Sequence, residues 1–198
     1  VELVASSGGT PVARVHYGDG RIEEFPADRD NLDRYVNNDF NAGNQLGIDH
    51  IEVLTNSPLL RQDIAFVDLP GVGSLTIANQ ETTLRYIRSC VGAIFMLRTV
   101  PPLTRSDALF LRAVWPGLSQ CIFVQNRWST ETDRELEGGL RHNREKLREL
   151  AEGCQIATDQ VEVMVVNVRQ AVYGVFTDLS DEREASGLNQ LEQRLLER

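Results

Sequence analysis

The sequence predicts an α/β protein built on an open, mainly parallel sheet with helices on both faces. Three observations carry this. Short apolar runs recur at Ile64–Val67, Val91–Leu97, Cys121–Val124 and Val161–Val166, and continuous apolar runs are typical of strands buried in a parallel sheet. Helical stretches lie between them, at Thr76–Ser89, Arg105–Val114 and Thr132–Glu152, the alternation that right-handed crossovers produce. The chain has 198 residues, 41% hydrophobic and 25% charged, enough for one well-buried domain and hardly two.

Taken in order, Val12 to Tyr17 alternates as a half-exposed strand does. Gly18-Asp19-Gly20 is a hairpin turn signal, and Arg21 to Phe25 forms the returning strand, so an antiparallel hairpin extends the sheet. Asp28 to Asn38 reads as a short helix with Leu32, Tyr35 and Val36 on one face. Asn41 to Gly47 is a loop. Ile48 to Leu54 is a second alternating strand, with Ile48, Ile51 and Val53 apolar, and Asn56-Ser57-Pro58 ends it. Ile64–Val67 follows as a buried strand. Arg105–Val114 stops before Trp115-Pro116-Gly117. Thr132–Glu152 carries Leu136, Leu140, Leu147 and Leu150 on its apolar side. Thr177 to Glu184, with Asp178, Asp181, Glu182 and Glu184, reads as a solvated acidic loop. Leu188–Leu196 is the last helix, entered through Gly187.

Lys plus Arg is 20 and Asp plus Glu is 29, a net charge of −9. That argues against nucleic-acid binding and against direct adhesion to anionic lipid. No apolar run approaches the ~20 residues of a membrane span, and the first residues carry no signal-peptide pattern. Cys90, Cys121 and Cys154 are odd in number and widely spaced, as buried thiols in a reducing compartment are. His16, His50 and His142 are scattered and read as structural or surface residues.

The richest stretch is Ile64-Ala65-Phe66-Val67-Asp68-Leu69-Pro70-Gly71. A carboxylate at a strand's carboxyl end, with a Gly three residues on, suits a phosphate and magnesium site: Asp68 holds Mg²⁺ through water, and the Gly71 amide reaches a terminal phosphate with no Cβ in the way. Read alone, it is equally a strand running into a turn. Two more loops follow later strands. In Gln125-Asn126-Arg127-Trp128-Ser129, Asn126 suits base recognition and Arg127 offers a flat guanidinium for stacking; read alone, this too is a strand-end loop with a surface Trp. In Val165-Val166-Asn167-Val168-Arg169-Gln170, a backbone amide suits an acceptor on a base, and Asn or Arg side chains suit closure over base and ribose. Parallel topology brings all three loops to one sheet edge.

Together these residues resemble the GTPase domain of the dynamin family, of the bacterial dynamin-like kind. Asp68-Leu69-Pro70-Gly71-Val72-Gly73-Ser74 is similar to the family's phosphate and magnesium motif, and Val165-Val166-Asn167-Val168-Arg169-Gln170 to its last nucleotide loop. Asp19-Gly20, Gly43-Asn44 before Ile51-Glu52-Val53, Ser57-Pro58-Leu59-Leu60, Pro101-Pro102-Leu103-Thr104 and Ser186-Gly187-Leu188 also match. The resemblance implies a P-loop GTPase-like fold over residues 1–198 as a partial GTPase domain. It implies GTP as substrate, Mg²⁺ as cofactor, and Gly71 as the catalytic contact to the γ-phosphate. The nucleotide-binding residues carried over are Asp68, Gly71, Asn126, Arg127, Ser129, Asn167, Val168 and Arg169. It further implies self-association through this domain, and membrane remodelling by regions outside this chain on a cytoplasmic, peripherally membrane-associated protein.

Two departures stand out. Ser129 replaces the family's Asp and Arg127 its Lys, so the charged double acceptor for guanine is missing. No Gly-x-x-x-x-Gly-Lys-Ser/Thr occurs; the family places it upstream of a segment like Val1–Tyr17. The expectation is a longer parent protein and a sheet lacking its first, central strand, with the strands at Asp68 and Val91 left without a shared neighbour. A non-hydrolysing scaffold that uses the fold for dimerisation, or an ATP-using P-loop protein, are the alternatives.

Overall fold

Period-two alternation builds the first sheet. In β2 (Val12–Tyr17) Ala13, Val15 and Tyr17 are buried while Val12, Arg14 and His16 stay partly exposed, the pattern of a sheet with one packed face. The computed structural model describes residues 1–6, 8–37, 39–60, 64–69, 84 and 86–197. They divide into two compact units, Val1–Leu69 and Pro70–Arg198.

In the first unit, β1 (Glu2–Ala5), β2, β3 (Ile22–Pro26), β4 (Ile48–Thr55) and β5 (Phe66–Val67) form one sheet in the order β3-β2-β4-β1-β5. The expected hairpin is there: β2 pairs antiparallel with β3 on one side and with β4 on the other. The sheet's packed face buries Ala13, Val15, Tyr17, Ile51 and Val53. Helix α1 (Arg29–Val36) begins at Asp28, whose side chain accepts from Asn31 N, as a strong N-cap does. Leu32 and Tyr35 pack on the sheet, with Tyr35 stacked on Phe25 at 4.9 Å. Val36, expected on the same face, is half-exposed.

One strand departs from expectation. Ile64–Val67 was read as a buried parallel strand. The strand covers only Phe66–Val67, is half-buried, and runs antiparallel to β1 at the sheet's edge. The cause is β1, which the alternation of residues 12–54 did not reveal. Leu3 lies opposite Phe66. Beyond the pair, Val1 N donates to Asp68 O at 3.0 Å and Asp68 N to Val1 O at 2.6 Å, so β1's outer polar groups find partners there.

The second unit holds a three-stranded parallel sheet, β6 (Gly92–Leu97), β7 (Gln120–Asn126) and β8 (Val163–Val166), in that order. Among the described residues β5 and β6 belong to different sheets. Helix α2 (Arg105–Val114) joins β6 to β7, and α3 (Asp133–Gly153) joins β7 to β8. Both start with capping boxes, Thr104 with Asp107 and Thr132 with Glu135, each satisfying two otherwise orphaned amides. Their apolar stripes meet the sheet in one core: Leu97, Leu103, Leu111, Trp115, Phe123, Leu147, Leu150 and Val163. Burying each such side chain contributes about 1.5–3 kcal/mol. Trp115 meets Phe123 edge-on at 4.8 Å, a favoured aromatic geometry. The mixed α/β class, with a parallel sheet and crossover helices, is the observed one. The expected helix at Thr76–Ser89 lies mostly outside the described residues.

The chain ends in three helices, α4 (Val168–Thr177), α5 (Ser180–Ala185) and α6 (Leu188–Leu196). The first two correct the sequence reading. Asn167 is not mid-loop; it caps α4 by accepting from Gln170 N at 3.0 Å, and Val168 and Arg169 form the first turn. Ser180–Ala185 is helical and not a solvated loop, and Glu182 accepts from Gln170 Nε2 at 2.8 Å, which ties α5 to α4. The three cysteines form no disulfide, and each is half-buried, where buried thiols were expected. No described helix is long and apolar enough to cross a membrane.

Candidate functional site

The end of β7 and the end of β8 are pinned together. Arg127 N donates to Val166 O at 2.9 Å, and Asn126 Oδ1 accepts from Val168 N at 3.2 Å. The Asn126 carboxamide therefore supports the start of α4, and Asn126 is not among the residues lining the cavity described below. Past Arg127 the chain closes a tight turn: Glu131 N donates to Trp128 O, and Glu131 Oε2 accepts from Trp128 N at 3.1 Å and from Thr99 Oγ1 at 3.0 Å. One carboxylate oxygen thus ties the turn to the loop after β6.

That turn depends on a buried polar chain beneath it. Gln125 and Asn143 are fully buried. Asn143 Nδ2 donates to Gln125 Oε1 at 2.8 Å, and Gln125 Nε2 donates to Thr99 Oγ1 at 3.2 Å. Buried amides are retained only with such partners. On the far side, Gly187 sits at φ +81°, and a Cβ there would lie 2.5 Å from Val165 O. Only glycine permits that approach. It holds Ser186 against β8, where Ser186 O accepts from Asn167 N at 2.9 Å.

Between these walls lies a cavity of about 430 Å³, lined by Arg127, Trp128, Ser129, Glu131, Val165, Asn167, Gln170, Ala185 and Ser186. Its size falls in the usual range of small-molecule sites. Its chemistry is amide-rich: Asn167 and Gln170 offer donors and acceptors, Arg127 a flat cation, Trp128 an aromatic face and Glu131 a carboxylate. Arg127 Nη2 meets Asp133 Oδ1 at 2.8 Å, an exposed ion pair that steadies the guanidinium and contributes little energy.

Of the residues singled out in the sequence, Arg127, Ser129 and Asn167 meet at this cavity. Val168 and Arg169 do not line it; both are exposed in the first turn of α4. Asp68 is exposed at the end of β5 in the first unit. Gly71 lies outside the described residues. Glu131 and Asp133, just beyond Ser129 in the sequence, suggest a carboxylate supplied across a dimer; the structure instead places Glu131 in the cavity wall of its own chain and pairs Asp133 with Arg127, and sequence reasoning missed Gln170 and Ser186 as cavity residues. For Glu131 a signal existed: it stands four residues before Glu135 of the capping box, in the turn that α3 begins from.

The comparisons with known proteins bear on this arrangement. Residues 6–128 match the family model described as the dynamin family. An uncharacterized protein in the xynA 3' region of Caldicellulosiruptor sp. (strain Rt8B.4) is 30% identical over 123 residues, which is 62% of this chain and 30% of that protein. The Arabidopsis thaliana protein named "Probable transmembrane GTPase FZO-like, chloroplastic" is 29% identical over 117 residues, 59% of this chain and 12% of that one. Two chains solved in work on an oligomerised bacterial dynamin pair that senses and tethers membranes superpose with TM-scores of 0.66 at 19% identity. They cover 98% of this chain, which spans 32% and 38% of theirs. This chain therefore spans less than two fifths of the length of each of these proteins.

Proposed function

The chain belongs to the dynamin family, and from that premise we propose that its cavity takes the base of a guanine nucleotide, which the parent protein hydrolyses as a GTPase. The observation that supports this most directly is the convergence of Arg127, Trp128, Glu131 and Asn167 on one amide-rich cavity at the carboxyl ends of two parallel strands, where α/β proteins bind nucleotides.

The residues fit the base. Guanine presents two donors, N1–H and N2–H, beside the O6 acceptor. Ser129 offers a neutral oxygen where the family has a carboxylate. Glu131, in the same wall, restores the charge: its Oε2 is engaged by Trp128 N and Thr99 Oγ1, and Oε1 is the acceptor for the base. Arg127 packs over the ring. From the α4 side, Asn167 and Gln170 line the cavity and offer the donors for O6. Asp68, exposed at the end of β5, would orient Mg²⁺ through water, and Gly71 would meet the γ-phosphate. When bound, Mg²⁺ neutralises charge on the phosphates. Self-association and a membrane role carried by other regions accord with the oligomerised, membrane-tethering dynamins this fold resembles.

The test is competition among GTP, ITP (which lacks the exocyclic amine) and ATP on the full-length protein. A charge-assisted bond is about twice as strong as a neutral one, so losing it costs about 1–2 kcal/mol, or roughly 5–30-fold. Glu131→Gln is expected to reduce the preference for GTP over ITP by that factor while leaving ATP binding weak. An unchanged preference in Glu131→Gln, with a loss in Ser129→Ala instead, would return the acceptor role to Ser129. Unchanged selectivity in both removes this cavity as the base site.

A further inference from the structure

The register of the first sheet does something the sequence does not announce. It sets His16 on β2 directly opposite His50 on β4, with Arg14 opposite Glu52 one step along the same face. The two imidazoles stack with centroids 4.1 Å apart and planes 9° from parallel. His16 Nε2 lies 3.1 Å from Glu52 Oε2. One donor atom from each of His16, His50 and Glu52 lies within 4.8 Å of the other two. The side chains are 23%, 26% and 27% exposed, sheltered yet reachable from solvent.

We propose that His16, His50 and Glu52 form a binding site for a divalent ion of the zinc type, with water completing its shell. The ligand chemistry selects the class. Imidazole nitrogens with one carboxylate suit zinc and its first-row neighbours, whereas Mg²⁺ and Ca²⁺ take oxygen ligands. The spacing suits it as well. Bonds of about 2.0–2.1 Å in a tetrahedron place neighbouring donors about 3.3 Å apart. The His16–Glu52 pair already stands at that distance, and His50 reaches it with a shift on the order of 1 Å, within side-chain rotation.

The surroundings are arranged for the same role. Asp49 Oδ2 lies 2.9 Å from His50 Nδ1. A carboxylate on one ring nitrogen holds the tautomer and leaves the other nitrogen's lone pair for the metal. Arg14, which would otherwise claim Glu52, is engaged by Glu24 at 2.8 Å. An ion here clips β2 to β4, the two strands that supply most of this unit's buried face. With three protein ligands the position is open to exchange, as sites with a solvent ligand are.

The experiment is calorimetric titration of the metal-stripped chain with Zn²⁺, repeated with Co²⁺ while recording its visible absorption. The expected result is saturable binding at a single site, with Co²⁺ bands of low coordination number and no thiolate charge-transfer band. His16→Ala with His50→Ala abolishes it, Asp49→Asn weakens it 10- to 100-fold, and His142→Ala leaves it unchanged. Circular dichroism checks each variant's fold, and His16→Gln with His50→Gln serves if the alanine pair does not fold. Equal Zn²⁺ binding by the double-histidine variant, a thiolate band with Co²⁺, or no binding up to millimolar Zn²⁺ overturns the proposal.

Discussion

Replacing Asn143 with Leu tests the polar chain under the candidate base site. Asn143 is fully buried in α3. Its Oδ1 accepts from Leu103 N at 2.7 Å, and its Nδ2 donates to Arg98 O at 3.1 Å and to Gln125 Oε1 at 2.8 Å. Leu has the same number and branching of side-chain heavy atoms and is the bulkier, so no cavity opens. Three partners are orphaned instead: an amide, a carbonyl and a carboxamide oxygen. Each buried orphan costs about 1–3 kcal/mol. With partial relaxation, and about 1 kcal/mol returned by the added apolar area, the net loss is about 3–4 kcal/mol. Urea denaturation followed by circular dichroism measures it as a shift in midpoint at unchanged slope. A double-mutant cycle with Gln125→Leu sharpens the test. Removing both partners leaves two orphans fewer than the single variants together, since Gln125 Oε1 and Asn143 Nδ2 vanish as a pair, so the double variant should lose less than the sum, by about 0.5–3 kcal/mol. A single-variant loss under about 1 kcal/mol, or strict additivity, would refute the reasoning that these amides are obligate partners.

Neighbouring glycines of α3 should respond in opposite directions. Gly138→Ala meets nothing within 4 Å and should stabilise by about 0.5–1 kcal/mol through helix propensity. Gly139→Ala places its Cβ 2.8 Å from Thr99 O and should destabilise by about 1–3 kcal/mol through overpacking; thermal melts of both variants decide it. Burial pushes the Cys121 thiol up to about 12, so at pH 8 its thiolate fraction is about 10⁻⁴, against roughly a quarter for an ordinary cysteine. Mass-spectrometric alkylation should find Cys121 at least ~100-fold slower than an unfolded cysteine in the native chain, and equal to it in denaturant. Burial, then the hydrogen bond to Glu23, raises the Tyr17 phenol to about 12. Its stabilising effect is complete below pH 10, the ordinary tyrosine value, and is lost as pH rises through about 12. Tyr17→Phe should flatten that alkaline decline, read by denaturation midpoints.

Much of the fold was legible. Arg105–Val114 and Leu188–Leu196 appear with the expected bounds, because helix ends carry local signals: the Thr104 capping box and Gly187 in the left-handed region. Strand β2 also has the expected limits, since strict alternation up to a Gly-Asp-Gly turn leaves one register. The missed elements are those with weak local signals. Glu2–Ala5 is too short to show a period, and Ser180–Ala185, polar but for Ala185, carries no apolar stripe and is tied to α4 by Glu182's bond to Gln170.

The sequence alone determined most of the residues that face the cores, the alternation of strands β6, β7 and β8 with helices α2 and α3 in the second unit, and the loops that carry candidate site residues. Those properties follow from chain-local chemistry: side-chain periodicity, capping residues and turn formers. Tertiary structure alone decided the rest. Glu131 enters the cavity wall because Thr99 and Trp128 N hold its Oε2 there. His16 meets His50 because the β2–β4 register sets them opposite. Phe66–Val67 turns antiparallel because β1 supplies its partner. Each depends on residues distant in sequence, and a hydrogen-bond partner or a strand register is a property of two segments together, which neither segment encodes by itself.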